Sequence, residues 1–290
     1  MKVLISTDTS AVLTYDVFKK NGLSVFPLNV IVDGTEYLDG VTIDQDTLCK
    51  AMRSGSSIKT STPPLGEVIE YFEKLFAEGY DQIIHFTISS KLSSMNDLFK
   101  NVAKEYFAGK LFVVDSYAVS TAMLSNVLYA SEEIKKGTPI EQILTELEER
   151  KLVNRVVFIP ENLTALKNGG RISPAIALIG NVLGIKPVIS LTDGALQKEG
   201  TTKQVRKRLI ESAESFSSTY SPEEYDYTLI NFDGKVEVVD YIVKEVSNII
   251  GEGKLIDGIL PINVCAHCGP GTIGLIVSKK INGKSLKEFL

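Results

Sequence analysis

His267 is one of only two histidines in a chain of 290 residues, and it stands in Cys265-Ala266-His267-Cys268-Gly269-Pro270-Gly271-Thr272. Several chemistries suit that spacing. Cys-x-x-Cys beside a histidine could be half of a zinc site, but structural zinc takes four ligands. The chain has three cysteines in all, so Cys49 and His85 would have to complete the set from far away. A redox dithiol is a second reading, although such motifs usually open a helix, whereas Gly269-Pro270-Gly271 reads as a turn into a strand. In a third, His267 acts alone as a donor to an anion, since imidazole can change charge near pH 7. The plainest reading is a structural histidine with its hydrogen bonds satisfied.

Hydroxyls are the second resource. Lys59-Thr60-Ser61-Thr62-Pro63-Pro64 reads as a polar turn before a helix, with Thr62 held extended by the proline after it. Hydroxyls and free backbone N–H groups at a helix start make a cradle for an anion, or simply cap the helix. Ser89-Ser90-Lys91-Leu92-Ser93-Ser94-Met95 carries four serines within six residues, more than one cap requires. A serine nucleophile is conceivable there, but the G-x-S-x-G elbow is absent. In Leu166-Lys167-Asn168-Gly169-Gly170-Arg171-Ile172-Ser173 the paired glycines suit a left-handed helix end. Arg171 can fork onto a carboxylate or phosphate, or form an ordinary surface ion pair.

The elements that must position these groups alternate. Val3-Leu4-Ile5, Val25 to Val30, Ile83 to Phe86 and Leu111 to Val114 read as strands. Pro64 to Gly79 and Ser94 to Gly109 carry apolar residues at three- and four-residue spacing, a helical face. Such alternation predicts a parallel sheet covered by helices. Ser6-Thr7-Asp8-Thr9-Ser10, Thr87 to Ser90 and Asp115-Ser116 follow strands, and ligands gather at the carboxyl ends of strands in open α/β sheets. A helix from about Pro139 to Arg150 closes a first part. A second begins at Val156, with strands around Val188 to Leu191, Tyr227 to Ile230 and Thr272 to Val277. The length calls for two domains, placed at 1–155 and 156–290. Ile176 to Ile189 is apolar enough to be a buried helix or a ligand-facing wall, with Ile176, Leu178, Ile179, Val182 and Leu183 as its candidates.

A net charge of −5 argues against a partner held through nucleic-acid phosphates, and the basic run Lys203 to Arg208 reads as a solvated helix face. No run of about 18 apolar residues occurs. Met1 to Ile5 is too short for a secretory signal. An odd number of cysteines does not fit a disulfide scaffold, so a reducing cytoplasm is the simplest compartment.

In order and spacing, these segments resemble the DegV family of bacterial fatty-acid-binding carriers, nearly end to end. The likeness rests on Asp8-Thr9-Ser10, Thr60 to Pro63, Ile88 to Ser94, Asp115-Ser116, Leu166 to Ser173, Ile185-Lys186-Pro187-Val188, Asp193-Gly194 and His267 to Gly271. It implies two α/β domains with one fatty acid between them, tail buried and carboxylate near the surface. Carried over by position, Thr60, Ser61, Ser93 and His267 hold the carboxylate, with Thr62, Ser94 and Arg171 beside them. It also implies a carrier that performs no bond chemistry, needs no cofactor, and presents the acid to a separate ATP-dependent kinase, with transient membrane contact as a further expectation. The competing expectations are a serine- or thiol-dependent enzyme and a binder of another small acid. Two departures stand out: Ser93-Ser94-Met95 where many relatives read Ser-Gly-Thr, and Gly200 where relatives commonly place a basic residue.

Overall fold

Branched and aromatic residues fill the strands, and glycines and prolines punctuate them. In a computed structural model of the chain, residues 1–11, 14–172 and 184–290 are described. The strands are β1 (Val3–Asp8), β2 (Ser24–Phe26), β3 (Asn29–Val32), β4 (Thr35–Leu38), β5 (Ile58–Thr60), β6 (Gln82–Thr87) and β7 (Leu111–Asp115), then β8 (Arg155–Ile159), β9 (Lys186–Thr192), β10 (Ala195–Thr202), β11 (Tyr225–Phe232), β12 (Leu255–Ile259) and β13 (Thr272–Lys279). The described helices are α1 (Tyr15–Lys20), α2 (Gln45–Arg53), α3 (Leu65–Ala77), α4 (Met95–Tyr106), α5 (Ser120–Lys136), α6 (Ile140–Val153), α7 (Thr164–Asn168), α8 (Val205–Ser217), α9 (Val236–Ile250) and α10 (Ile262–Cys268).

The fold is α/β. A four-stranded sheet has the order β2-β1-β6-β7 and is parallel throughout, as the alternation predicts. Strands β4-β3-β5 form a small antiparallel sheet, and every strand from β8 onward belongs to one six-stranded sheet, β10-β9-β8-β13-β11-β12. In that sheet only β11 and β12 run parallel.

Three local expectations are corrected. Val25 to Val30 is not one strand: Pro27-Leu28 divides β2, in the parallel sheet, from β3, in the small one. A proline offers no N–H to a ladder, so the chain changes sheets there. Lys59 and Thr60 belong to β5, paired with β3, so the polar turn begins only at Ser61. Of the paired glycines, only Gly170 is left-handed, at φ 66°; Gly169 stays helical at φ −75°. The apolar-wall candidates Ile176 to Leu183, and Ser173, lie outside the described residues.

Helix α5 binds the halves together. No charged residue occurs from Ser116 to Ser131, and nearly the whole helix is buried, packed on β1 and on β13. A helix without a polar face must be enclosed. Its N-terminal residues belong to an apolar cluster that reaches from Ile5 and Phe86 through Val119 and Ala122 to Phe158 and Ile276. The remaining apolar residues pack on the outer faces of the two large sheets, around Phe72 and Phe99 on one and Tyr227 and Val246 on the other.

Candidate functional site

Strand β8 alternates, as a strand must. Val157 and Ile159 join the outer cluster, while Val156 and Phe158 face inward. There, with Leu191 from β9 and Ile230 from β11, they form one side of a largely apolar cavity. Leu28, Ile88, Leu92 and Val119 form the opposite side.

Its polar edge gathers groups far apart in sequence. Thr60, Ser61, Thr62, Ser93, Arg171 and His267 all line the cavity. Ser94 joins them through its Oγ, 3.2 Å from Thr62 Oγ1. Thus every residue singled out for the site falls in one neighbourhood. Ser94 precedes α4 but makes no capping bond with its side chain, so capping does not account for it. Ser93 Oγ accepts from the Met95 N–H at 3.3 Å, which leaves its own proton to donate.

His267 sits in the last turn of α10, with Nε2 2.8 Å from Thr60 Oγ1. Nδ1 is buried without a partner among the described residues. The ring packs closely against Gly169: a Cβ there would stand 2.2 Å from Nδ1. Gly169 is therefore glycine to admit the imidazole, not to reverse the chain. Arg171 is spent partly on carbonyls, donating to Leu92 O at 3.1 Å and Gly169 O at 2.6 Å. The surface ion pair expected as its ordinary role gives way to a brace. Burial, and secondarily the Arg171 charge, push His267 down to about 4. The side chain read as a switch near pH 7 is thus a neutral imidazole there.

Asp39 positions the helix that carries His267. Its carboxylate accepts from the Ile262 N–H at 3.3 Å and the Asn263 N–H at 3.0 Å, at the start of α10. Burial raises Asp39 to about 7 and Asp8 to about 6. Asp8 in turn accepts from the Ser10 and Ile88 N–H groups, at 2.6 and 2.8 Å.

Other expectations end differently. Ser89 donates to Gly194 O at 2.7 Å, tying the β9–β10 turn to the loop after β6. His85 lies in the first sheet, stacked on Phe99 at 4.5 Å and 3.0 Å from Ser6 Oγ. Cys49, Cys265 and Cys268 are free thiols. The latter two occupy the body and end of a helix, not the start that a redox pair favours, and burial pushes the Cys265 thiol up, away from the reactive thiolate. Among the described residues no group of three or more His, Cys, Asp or Glu side chains could hold a metal.

Ser10, Asn29 and Asn263 also line the cavity; Ser10 belongs to one of the polar loops expected to meet a ligand at the carboxyl ends of strands, whereas Asn29 and Asn263 carry no such expectation. Asn263 stands four before His267, the spacing of one helical face. Gly269-Pro270-Gly271 marks the turn after it, and a helix of seven residues is too short to establish a period in the sequence.

The DegV family model, described as "Uncharacterised protein, DegV family", matches residues 2–280. A DegV domain-containing protein of Mycoplasmopsis pulmonis is 29% identical over 279 residues, covering 96% of each chain. The fatty-acid-binding DegV family protein from Thermus thermophilus has 27% identity and a TM-score of 0.85, covering 96% of this chain and 100% of that one. DegV from Bacillus subtilis, a fatty acid binding protein, has 25% identity and a TM-score of 0.82, covering 97% and 100%. The match over nearly the whole length places this chain in the DegV family.

Proposed function

We propose that this protein binds one long-chain fatty acid, its tail between the sheets and its carboxylate at Thr60, Ser61, Ser93 and His267, with Thr62, Ser94 and Arg171 framing them. The observation that carries this reading is an apolar cavity whose polar edge collects hydroxyls and one neutral imidazole. The tail supplies affinity, about 0.8 kcal/mol for each buried methylene. The carboxylate then needs donors, because an unpaired charge in a dry site is costly. If Nε2–H donates to Thr60 Oγ1, the Thr60 proton is free for the acid, so the imidazole supports the anion through the hydroxyl. Solved relatives described as fatty-acid-binding proteins support the ligand class.

We infer further that the protein is a carrier. It keeps the head group accessible and presents it to a separate kinase that makes the acyl phosphate, in a reducing cytoplasm suited to three unpaired thiols. The division of the chain at 155/156 into two domains belongs to the same reading, with the acid between them. His267→Ala and Ser93→Ala should lose binding of hexadecanoate by delipidated protein and lower acyl-phosphate yield with an added fatty acid kinase. Unchanged binding and yield in both variants would overturn the assignment.

A further inference from the structure

The cavity has a second polar group, one helical turn from His267. Asn263 and His267 are four residues apart on α10, so their roots lie about 6 Å apart along its axis, and both line the cavity. Asn263 Nδ2 donates to Ser10 Oγ at 3.0 Å. The Ser10 hydroxyl in turn bonds to the Asp8 carboxylate, which, when ionised, only accepts. With its proton turned to Asp8, the Ser10 oxygen is left to accept, and this orients the Asn263 amide. Its Oδ1 is then the atom left over. It is buried without a partner among the described residues, on a residue only 6% exposed. A plain acyl chain has no donor to offer it.

We propose that Asn263, oriented by Ser10, is a subsite for a hydroxyl group on the bound acid, a few carbons from the carboxylate. This rests on the fatty-acid reading above and narrows its ligand to a hydroxy acid. An alcohol donates to Oδ1 and satisfies it. A ketone at the same carbon sets two acceptors against each other, and a methylene leaves the amide oxygen bare.

Calorimetric titration of the delipidated full-length protein tests this, using hexadecanoic acid, its isomers hydroxylated at successive carbons from β to ε, and the matching keto acids. One hydroxy isomer is expected to bind about tenfold more tightly than the parent, the scale of satisfying one buried acceptor. Its keto counterpart should bind no more tightly than the parent. Asn263→Leu should bring the hydroxy-to-parent ratio to about one; should that variant fail to fold, the hydroxy–keto contrast in the unmodified protein decides alone. If the parent acid binds and every hydroxy isomer binds as weakly or more weakly, the subsite is overturned while the fatty-acid reading stands. If no acid of the panel binds, both fall together.

Discussion

His267 does its work uncharged. Burial holds it at about 4, so the folded protein refuses a proton that an unfolded chain accepts near 6.5. Its contribution to stability is therefore present above about pH 6.5 and is lost as the pH falls toward 4. With only two histidines in the chain, the imidazole NMR signals resolve this directly. Both should remain neutral at pH 6 in the free protein, and only the His267 signal should move when a fatty acid binds. A His267 titration near 6.5 without ligand would contradict the burial argument. Thr60→Val should weaken binding about tenfold, the cost of one missing buried hydrogen bond, read by calorimetry against hexadecanoate. At this scale the sequence was informative wherever a residue type is rare in its setting: a lone histidine between cysteines, or four serines where one cap suffices. It did not show the bracing role of Arg171, because no spacing shows that a guanidinium will bond the carbonyls of Leu92 and Gly169.

The elements that aim these groups depend on close approach. Gly169→Ala would force a methyl group into the space of the His267 ring, so it should reduce fatty-acid affinity as severely as His267→Ala while leaving the circular dichroism spectrum of the helices unchanged. Equal affinity in Gly169→Ala and unmodified protein would refute that placement. Gly200 follows a register shift between β10 and β9 and has φ 143°, a conformation that side chains rarely adopt. A basic residue introduced by Gly200→Lys should therefore cost about 1–3 kcal/mol in denaturant unfolding. Helix α10 hangs from Asp39, whose folded value of about 7 lies well above the ordinary 3.8. Its contribution is thus fully present below about pH 4 and is lost as the pH rises through 7. The stability difference between unmodified protein and Asp39→Asn should shrink between pH 4 and pH 7, measured by urea unfolding at each pH. Strong periodicity made the helices α3 and α4 legible, and apolar runs marked most strands. The small sheet was not legible, because strands of three or four residues barely establish a period, and Pro27-Leu28 looked like part of one run.

At the scale of the whole molecule, the cavity exists because two sheets face each other across α5 and neither half encloses it. The alternation of elements announced a parallel sheet in the first half, but the antiparallel pairing of β8 to β13 depends on contacts distant in sequence and left little local trace. Helix α5 was legible in principle, since sixteen residues without a charge must be buried. The exposed Arg53 links to Glu161 and Asp233 also join the halves, yet exposed pairs contribute little, so closure rests on apolar packing. Among the described residues no helix is long and apolar enough to cross a membrane. The proposed lipid sits inside the fold, in the cavity between the sheets. Native mass spectrometry of protein purified without added lipid tests that claim most directly. The predicted result is one molecule of a long-chain acid per chain, lost on delipidation, regained on adding the acid, and not regained by His267→Ala. Protein that carries no acid as purified, and takes up none when it is supplied, would contradict it.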